Sequence, residues 1–147
     1  MSVLLDTNIL LRSVEPLHPY HGLAVGAVAG LLAEDELTYF TLQNIAEFWN
    51  VATRPVGSNG LGFSIQAALA EVERIEGLLT LLPDTPAVYA EWRRIIVDNG
   101  VSGVKVHDAR LVATMKTHGV QRLLTFDVED FARYPGIEVI HPKAVVL

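Results

Sequence analysis

The sequence contains no cysteine. That excludes disulfides and zinc–thiolate centres, and it fits a reducing compartment. No uninterrupted apolar run approaches the roughly 20 residues that a membrane-spanning helix needs. Half of the residues are nevertheless hydrophobic, and the mean hydropathy is +0.33. Such richness points to a large core or an apolar subunit interface. The opening Met1-Ser2-Val3-Leu4-Leu5-Asp6 has no basic segment and meets an acid at once, so it does not read as a signal peptide. A cytoplasmic protein without membrane partners is expected. Positive charge is scarce too. Eleven Lys and Arg stand against 17 Asp and Glu, a net charge of −6. Phosphate backbones attract cations, so an acidic chain is a poor generic binder of nucleic acid. The argument reverses only where several acids serve metal ions. Repeats, low-complexity tracts and long linkers are also missing. A length of 147 residues suits one domain, expected to span residues 1–147.

What is present alternates between strand and helix signals. Val3–Leu5 reads as a short apolar strand, followed by a helix over Thr7–Arg12. Tyr20–Ala33 reads as a helix despite its glycines, and Leu37–Phe40 as a second strand. A helix over Leu42–Thr53 is stopped by Pro55, and the glycine-rich stretch Pro55–Phe63 is a loop. Ser64 can cap a helix that runs to about Glu76 and stops at Gly77. Leu78–Leu82 is a third strand, and Thr85-Pro86 starts a helix that reaches Asn99-Gly100. His107–His118 is a further helix ended by Gly119, Leu123–Phe126 a fourth strand, and Glu138–Ile140 a short edge strand. This order predicts a mostly parallel sheet of four to five strands with helices on both faces.

Ligands of parallel α/β sheets bind beyond the carboxyl ends of the strands. Asp6 directly follows the first apolar strand, and Asp127 directly follows the fourth. Each could instead be a helix N-cap, since acids are common at such turns. Asp108 shares a helix face with Leu111, Val112 and Met115. A carboxylate on an apolar face is costly unless it is paired or bound to metal, although a helix N-terminus also favours it. Glu47 lies in a polar stripe with Gln43, Asn50 and Arg54, beside an apolar stripe of Ile45, Trp49 and Ala52. A solvated helix face accounts for Glu47 taken alone.

Taken together, these places carry a resemblance. Leu4-Leu5-Asp6-Thr7-Asn8-Ile9-Leu10-Leu11 resembles the opening motif of PIN-domain nucleases. Asn44-Ile45-Ala46-Glu47-Phe48 is similar to the second motif of that family, and His107-Asp108-Ala109-Arg110-Leu111-Val112-Ala113 to the third. Leu123-Leu124-Thr125-Phe126-Asp127, followed by Asp130-Phe131, resembles the fourth. The likeness spans Val3 to Pro142, and within the family the size looks like that of VapC-type toxins of bacterial toxin–antitoxin pairs. It implies a three-layer α/β/α sandwich, dependence on Mg²⁺ or Mn²⁺, and endoribonuclease activity on an RNA substrate. A homodimer and a small antitoxin protein are implied as partners. Asp6, Asp108, Glu47 and Asp127 map onto the metal-binding and catalytic acids. The last motif is one residue longer than in many relatives, so Asp130 could share or take over the fourth role. Thr7, Asn8 and Thr125 match polar positions that support the acids.

The chemistry accords with those residue types. Phosphodiester hydrolysis needs an activated water, neutralised phosphate charge and a stabilised leaving oxygen, all of which Mg²⁺ can supply. Mg²⁺ prefers carboxylate and water oxygens, and the five histidines are too scattered to suit zinc. Arg12, Arg54, Lys105 and Arg110 flank the motifs and are candidates for substrate contacts, with surface ion pairs as their ordinary role. A haloacid-dehalogenase-like phosphatase would need an acid where Asn8 stands. A response-regulator receiver would need a paired acid at the first strand and a Lys after the last. A PIN-like scaffold that binds RNA or protein without cutting, or a PIN nuclease outside a toxin–antitoxin system, is the alternative.

Overall fold

The computed structural model describes residues 1–145. Among these residues, five strands, β1 (Ser2–Leu5), β2 (Leu37–Thr41), β3 (Thr80–Leu82), β4 (Arg122–Leu124) and β5 (Glu138–Ile140), form one sheet in the order β3-β2-β1-β4-β5. All four pairings are parallel. Seven α-helices accompany them among the described residues: α1 (Thr7–Arg12), α2 (His21–Ala33), α3 (Leu42–Thr53), α4 (Ile65–Leu78), α5 (Pro86–Asp98), α6 (Val106–His118) and α7 (Val128–Phe131).

Side chains alternate across a strand, and β1 divides the core accordingly. Val3 and Leu5 pack with Ile9, Leu10, Ala24, Phe48 and Ile75, under α1–α4. Leu4 packs with Val88, Ile95, Leu111, Val112 and Met115, under α5 and α6. Leu124 and Leu123 of β4 divide the same way. Two helical layers therefore sandwich the sheet, as the alternating pattern predicts.

Several boundaries differ from the sequence reading. Helix α4 passes through Gly77 to Leu78, and β3 begins only at Thr80. Gly77 keeps an ordinary helical backbone; it is not among the positive-φ glycines. Glycine permits a helix end without requiring one. Strand β4 ends at Leu124, two residues early, because the chain turns there into the acid site, although the Thr125 N–H still donates to the Ile140 carbonyl. Helix α7 has no counterpart in the sequence pattern, since a single turn offers no periodicity to read.

The strand order decides where a site can form. β1 is central, with β2 on one side and β4 on the other. The chain order reverses between β1 and β4, and such a switch point opens a crevice at the carboxyl ends of the strands. Leu5 pairs with Leu124 in register, which sets Asp6 beside Thr125.

Candidate active site

Asp6 leaves β1 and caps α1. Its backbone N–H donates to the Leu124 carbonyl at 2.9 Å, which continues the β1–β4 ladder by one residue. Its Oδ1 accepts from the Thr7 N–H at 2.8 Å, and its Oδ2 from the Thr125 hydroxyl at 2.8 Å. Capping and site formation are thus the same geometry rather than rivals.

Thr125 is fully buried and joins three partners. Besides donating to Asp6, its oxygen accepts from the Asn8 amide at 3.2 Å and from the Asp127 N–H at 3.0 Å. Asn8 Nδ2 also donates to Asp127 Oδ2 at 3.2 Å, and Asn8 Oδ1 accepts from the Phe126 N–H at 3.3 Å. Asn8 therefore ties the turn after β1 to the turn after β4. Asp127 itself is exposed and stands at the N-cap of α7 without capping it.

The second support runs through α3. Thr7 donates to Glu47 Oε1 at 3.5 Å and accepts from Asn44 Nδ2 at 3.1 Å. Asn44 is completely buried and forms a reciprocal capping box with Thr41. Sequence reasoning assigns Asn44 no role of its own; the Thr41-x-x-Asn44 spacing before an apolar run is its signal. The polar stripe expected on α3 is also revised. Gln43 is buried, and its amide donates to the His107 carbonyl at 2.8 Å, bracing the start of α6. Glu47 and Asn50 are exposed.

Asp108 sits in the first turn of α6, half-buried, while Leu111, Val112 and Met115 beneath it are buried. Lys105 Nζ lies 4.0 Å from Asp108 and 2.9 Å from Asp130. Asp130 is thus engaged by Lys105. The other candidate substrate cations have partners as well. Arg12 pairs with Glu15, Arg54 donates to the Asn59 carbonyl, and Arg110 pairs with Asp84.

The acids feel one another. Burial pushes the Asp6 carboxyl from an ordinary 3.8 up to about 6; the hydrogen bonds from Thr125 and Thr7 oppose this, and the charges of Asp108 and Glu47 add to it. Burial likewise raises Asp108, with Lys105 opposing and the charges of Asp130, Glu47 and Asp127 reinforcing. Among the described residues, Asp6, Glu47 and Asp127 make no ion pair, and no three His, Asp or Glu side chains are close enough to hold one metal ion as they stand. The donor chemistry still fits a hard divalent cation. The groups are oxygen donors only, Lys105 offsets their repulsion only at Asp108, and such an ion would relieve the rest.

A family model, the PIN domain, matches residues 3–137 of the chain. The chain is 25% identical to Ribonuclease VapC48 of Mycobacterium tuberculosis over 144 residues, covering 97% of this chain and 98% of that protein. It is 38% identical to Ribonuclease VapC1 of Rickettsia felis over 74 residues, covering 49% of this chain and 54% of that protein. Among solved structures, it is similar to VapBC2 from Rickettsia felis bound to a DNA fragment from their promoter. That match has a TM-score of 0.69 at 14% identity and covers 96% of this chain and 98% of that one.

Proposed function

The chain belongs to the PIN domain family, and from that premise we propose that it is a Mg²⁺- or Mn²⁺-dependent endoribonuclease, the toxin of a type II toxin–antitoxin pair. One observation carries the reading. Acids from separate segments stand around the switch point of a parallel sheet, where burial, with neighbouring acid charge adding to it, raises the proton affinity of Asp6 and Asp108. Relatives named as ribonucleases, and a fold shared with a VapBC structure, support the substrate class and the partner.

Asp6, Glu47, Asp108 and Asp127 would hold the metal. When bound, it supplies an activated water, screens the phosphate charge and stabilises the leaving oxygen. The chain's own residues prepare the site. Asp6 is mostly ionised at neutral pH, given a pKa of about 6. The Thr7 N–H and Thr125 hydroxyl fix which way its oxygens point. Thr7, itself oriented by Asn44, holds Glu47, and Asn8 holds Asp127. Such supports matter because a reacting group displaced by about 1 Å loses much of its effect. Lys105 stands at the rim, where it can meet a phosphate of the RNA.

The partners follow from the same features. An acid cluster with more carboxylates than the single nearby Lys105 can match suits a small antitoxin that inserts a basic residue, and the apolar richness suits a homodimer. The test is cleavage of single-stranded RNA by wild type, Asp6→Asn and Asp108→Asn, in Mg²⁺ and in chelator. Cleavage by wild type in Mg²⁺ alone is expected. Full activity in both variants overturns the site. RNA binding without any cleavage establishes the scaffold alternative.

A further inference from the structure

Resting on the RNA-cleaving reading, we infer that the cleft between α5 and α6 is a nucleobase pocket that holds a base of the substrate next to the acid site. The cleft has a volume of about 500 Å³ and is lined by Asp84, Thr85, Tyr89, Trp92, His107 and Arg110, among others. That volume lies within the roughly 300–1,000 Å³ of small-molecule sites.

Its position connects it to the chemistry. His107 lines the cleft, and the next residue, Asp108, faces the acids whose charges perturb it. Consecutive residues of an α-helix diverge by about 100° at 3.6 residues per turn. Adjacent positions in the first turn of α6 therefore present the two sites, a juxtaposition that neighbouring parts of one nucleotide chain can bridge. Gln43 braces this turn by donating to the His107 carbonyl.

Its surface has the character of a base-stacking site. Tyr89 and Trp92 stand three residues apart on one face of α5, with ring centroids 6.4 Å apart and planes tilted by 34°. Trp92 is pinned, because its Nε1 donates to the Val106 carbonyl at 2.8 Å. Tyr89 is 65% exposed, a large aromatic face open to solvent. Arg110 and Asp84, joined at 2.6 Å, set donors and an acceptor side by side, as recognition of a base edge requires. The Thr85 hydroxyl is buried without a partner among the described residues, a deficit that a polar ligand atom would remove. The net charge of −6 adds a physical reason. Where the phosphate backbone is poorly attracted, affinity must come from the bases, and aromatic faces serve every base.

The experiment uses Trp49→Phe, which leaves Trp92 as the sole tryptophan. Its fluorescence is titrated with oligo(A) and oligo(U) ribonucleotides in chelator, where no cleavage is needed. Saturable quenching is expected. Adding Tyr89→Ala should weaken binding about tenfold, the scale of one stacked base, and Tyr89→Phe should restore it. In cleavage assays, Tyr89→Ala should raise KM by a similar factor with a smaller change in kcat. Quenching in a protein that never cleaves keeps the pocket and removes the nuclease. Cleavage with no quenching, and with KM unmoved in Tyr89→Ala, overturns the pocket. So does a loss of self-association in Tyr89→Ala by sedimentation, which would assign the cleft to a second copy of the chain.

Discussion

The two ends of the sheet treat acids in opposite ways. At the amino-terminal end, Glu36 is nearly buried and is matched by Arg122 at 2.7 Å, with Arg122 also donating to the Ser2 carbonyl. At the carboxyl-terminal end, Asp6, Glu47, Asp108 and Asp127 gather with one nearby cation among the described residues, Lys105, whose closest acid is Asp130. Both ends lie on the same central strands, and the difference is in how the charges are matched. Acids that serve the fold are neutralised within the chain. At the crevice, burial and neighbouring acid charge raise Asp6 and Asp108, an arrangement suited to a cation from outside.

The largest break of that comparison is in catalysis. Asp6→Asn should reduce metal-dependent RNA cleavage by roughly two orders of magnitude or more, since even supporting residues of metal sites cost about 10–100-fold. Glu36→Gln should leave it within about twofold. Rates measured at saturating Mg²⁺ on both folded variants decide the matter. Equal losses would mean that both ends contribute only stability.

Stability should show the reverse order. Removing Arg122 leaves Glu36 with the exposed Met1 ammonium at 3.4 Å as its remaining partner, and Arg122→Ala should cost up to about 3 kcal/mol, the scale of a broken buried pair. Asp108→Asn removes a repulsive charge, so the metal-free variant should be at least as stable as wild type. The four acids meet only in the folded chain, so wild type should gain about 2.7 kcal/mol when free Mg²⁺ is about 100 times its dissociation constant. Asp108→Asn should gain little, and sodium at equal ionic strength should not substitute. Chemical melts with chelator and with Mg²⁺ measure each value. An unchanged wild-type midpoint across millimolar Mg²⁺ would remove the metal site.

A smaller effect is the pH slope of the metal-free protein. Asp6 has a folded pKa of about 6, above its ordinary 3.8. Between these values the folded chain binds more protons than the unfolded one. The contribution is therefore fully present below about pH 4, and it is lost as pH rises through about 6. Asp108 is raised too and acts in the same sense. In chelator, wild type should lose stability from about pH 4 to about pH 6 relative to Asp6→Asn. In Mg²⁺ the trend should invert, because the metal needs the carboxylate form. Parallel pH profiles for the two proteins would show that burial does not raise Asp6.

How much of this contrast is legible in the sequence depends on spacing. Asp6 follows an apolar strand, and Asp108 sits one turn above buried Leu111 and Val112, so periodicity can place both. The boundaries of α3 and the edge position of β5 are equally readable, because Pro55 stops the one and short length marks the other. Asn44 is not readable as a buried hub. Its importance comes from contacts to Thr41 and Thr7, and the latter lies on another element. The Glu36–Arg122 pair spans 86 positions, and no local pattern encodes it. Arg110 shows the same limit, since Asp84 is remote in sequence. Local rules thus point to Asp6 and Asp108, Glu47 enters only through the family resemblance, and the partners that distinguish the two ends are set by topology.

The smallest effect concerns Asp130, which stands on the border between the two kinds of acid. It is 42% exposed and bound to Lys105, itself 48% exposed, at 2.9 Å. A pair this open contributes about 0–1 kcal/mol, so Asp130→Asn should barely change stability. Its effect on the site should be indirect. Freed from Asp130, Lys105 has Asp108 as its remaining partner, now 4.0 Å away. A cation resting there competes with a metal for the same carboxylate. Asp130→Asn should therefore weaken Mg²⁺ binding by a few-fold, an effect that shrinks as salt screens the lysine. Asp127→Asn should cost more, because Asn8 orients that carboxylate from the turn beside Asp6. The double variant Asp130→Asn with Lys105→Gln sharpens the distinction. If Asp130 acts only by occupying Lys105, removing the lysine as well should restore Mg²⁺ affinity to the wild-type value or above. If Asp130 is itself the fourth metal ligand, affinity should stay low in the double variant, and Asp130→Asn alone should match or exceed the loss in Asp127→Asn.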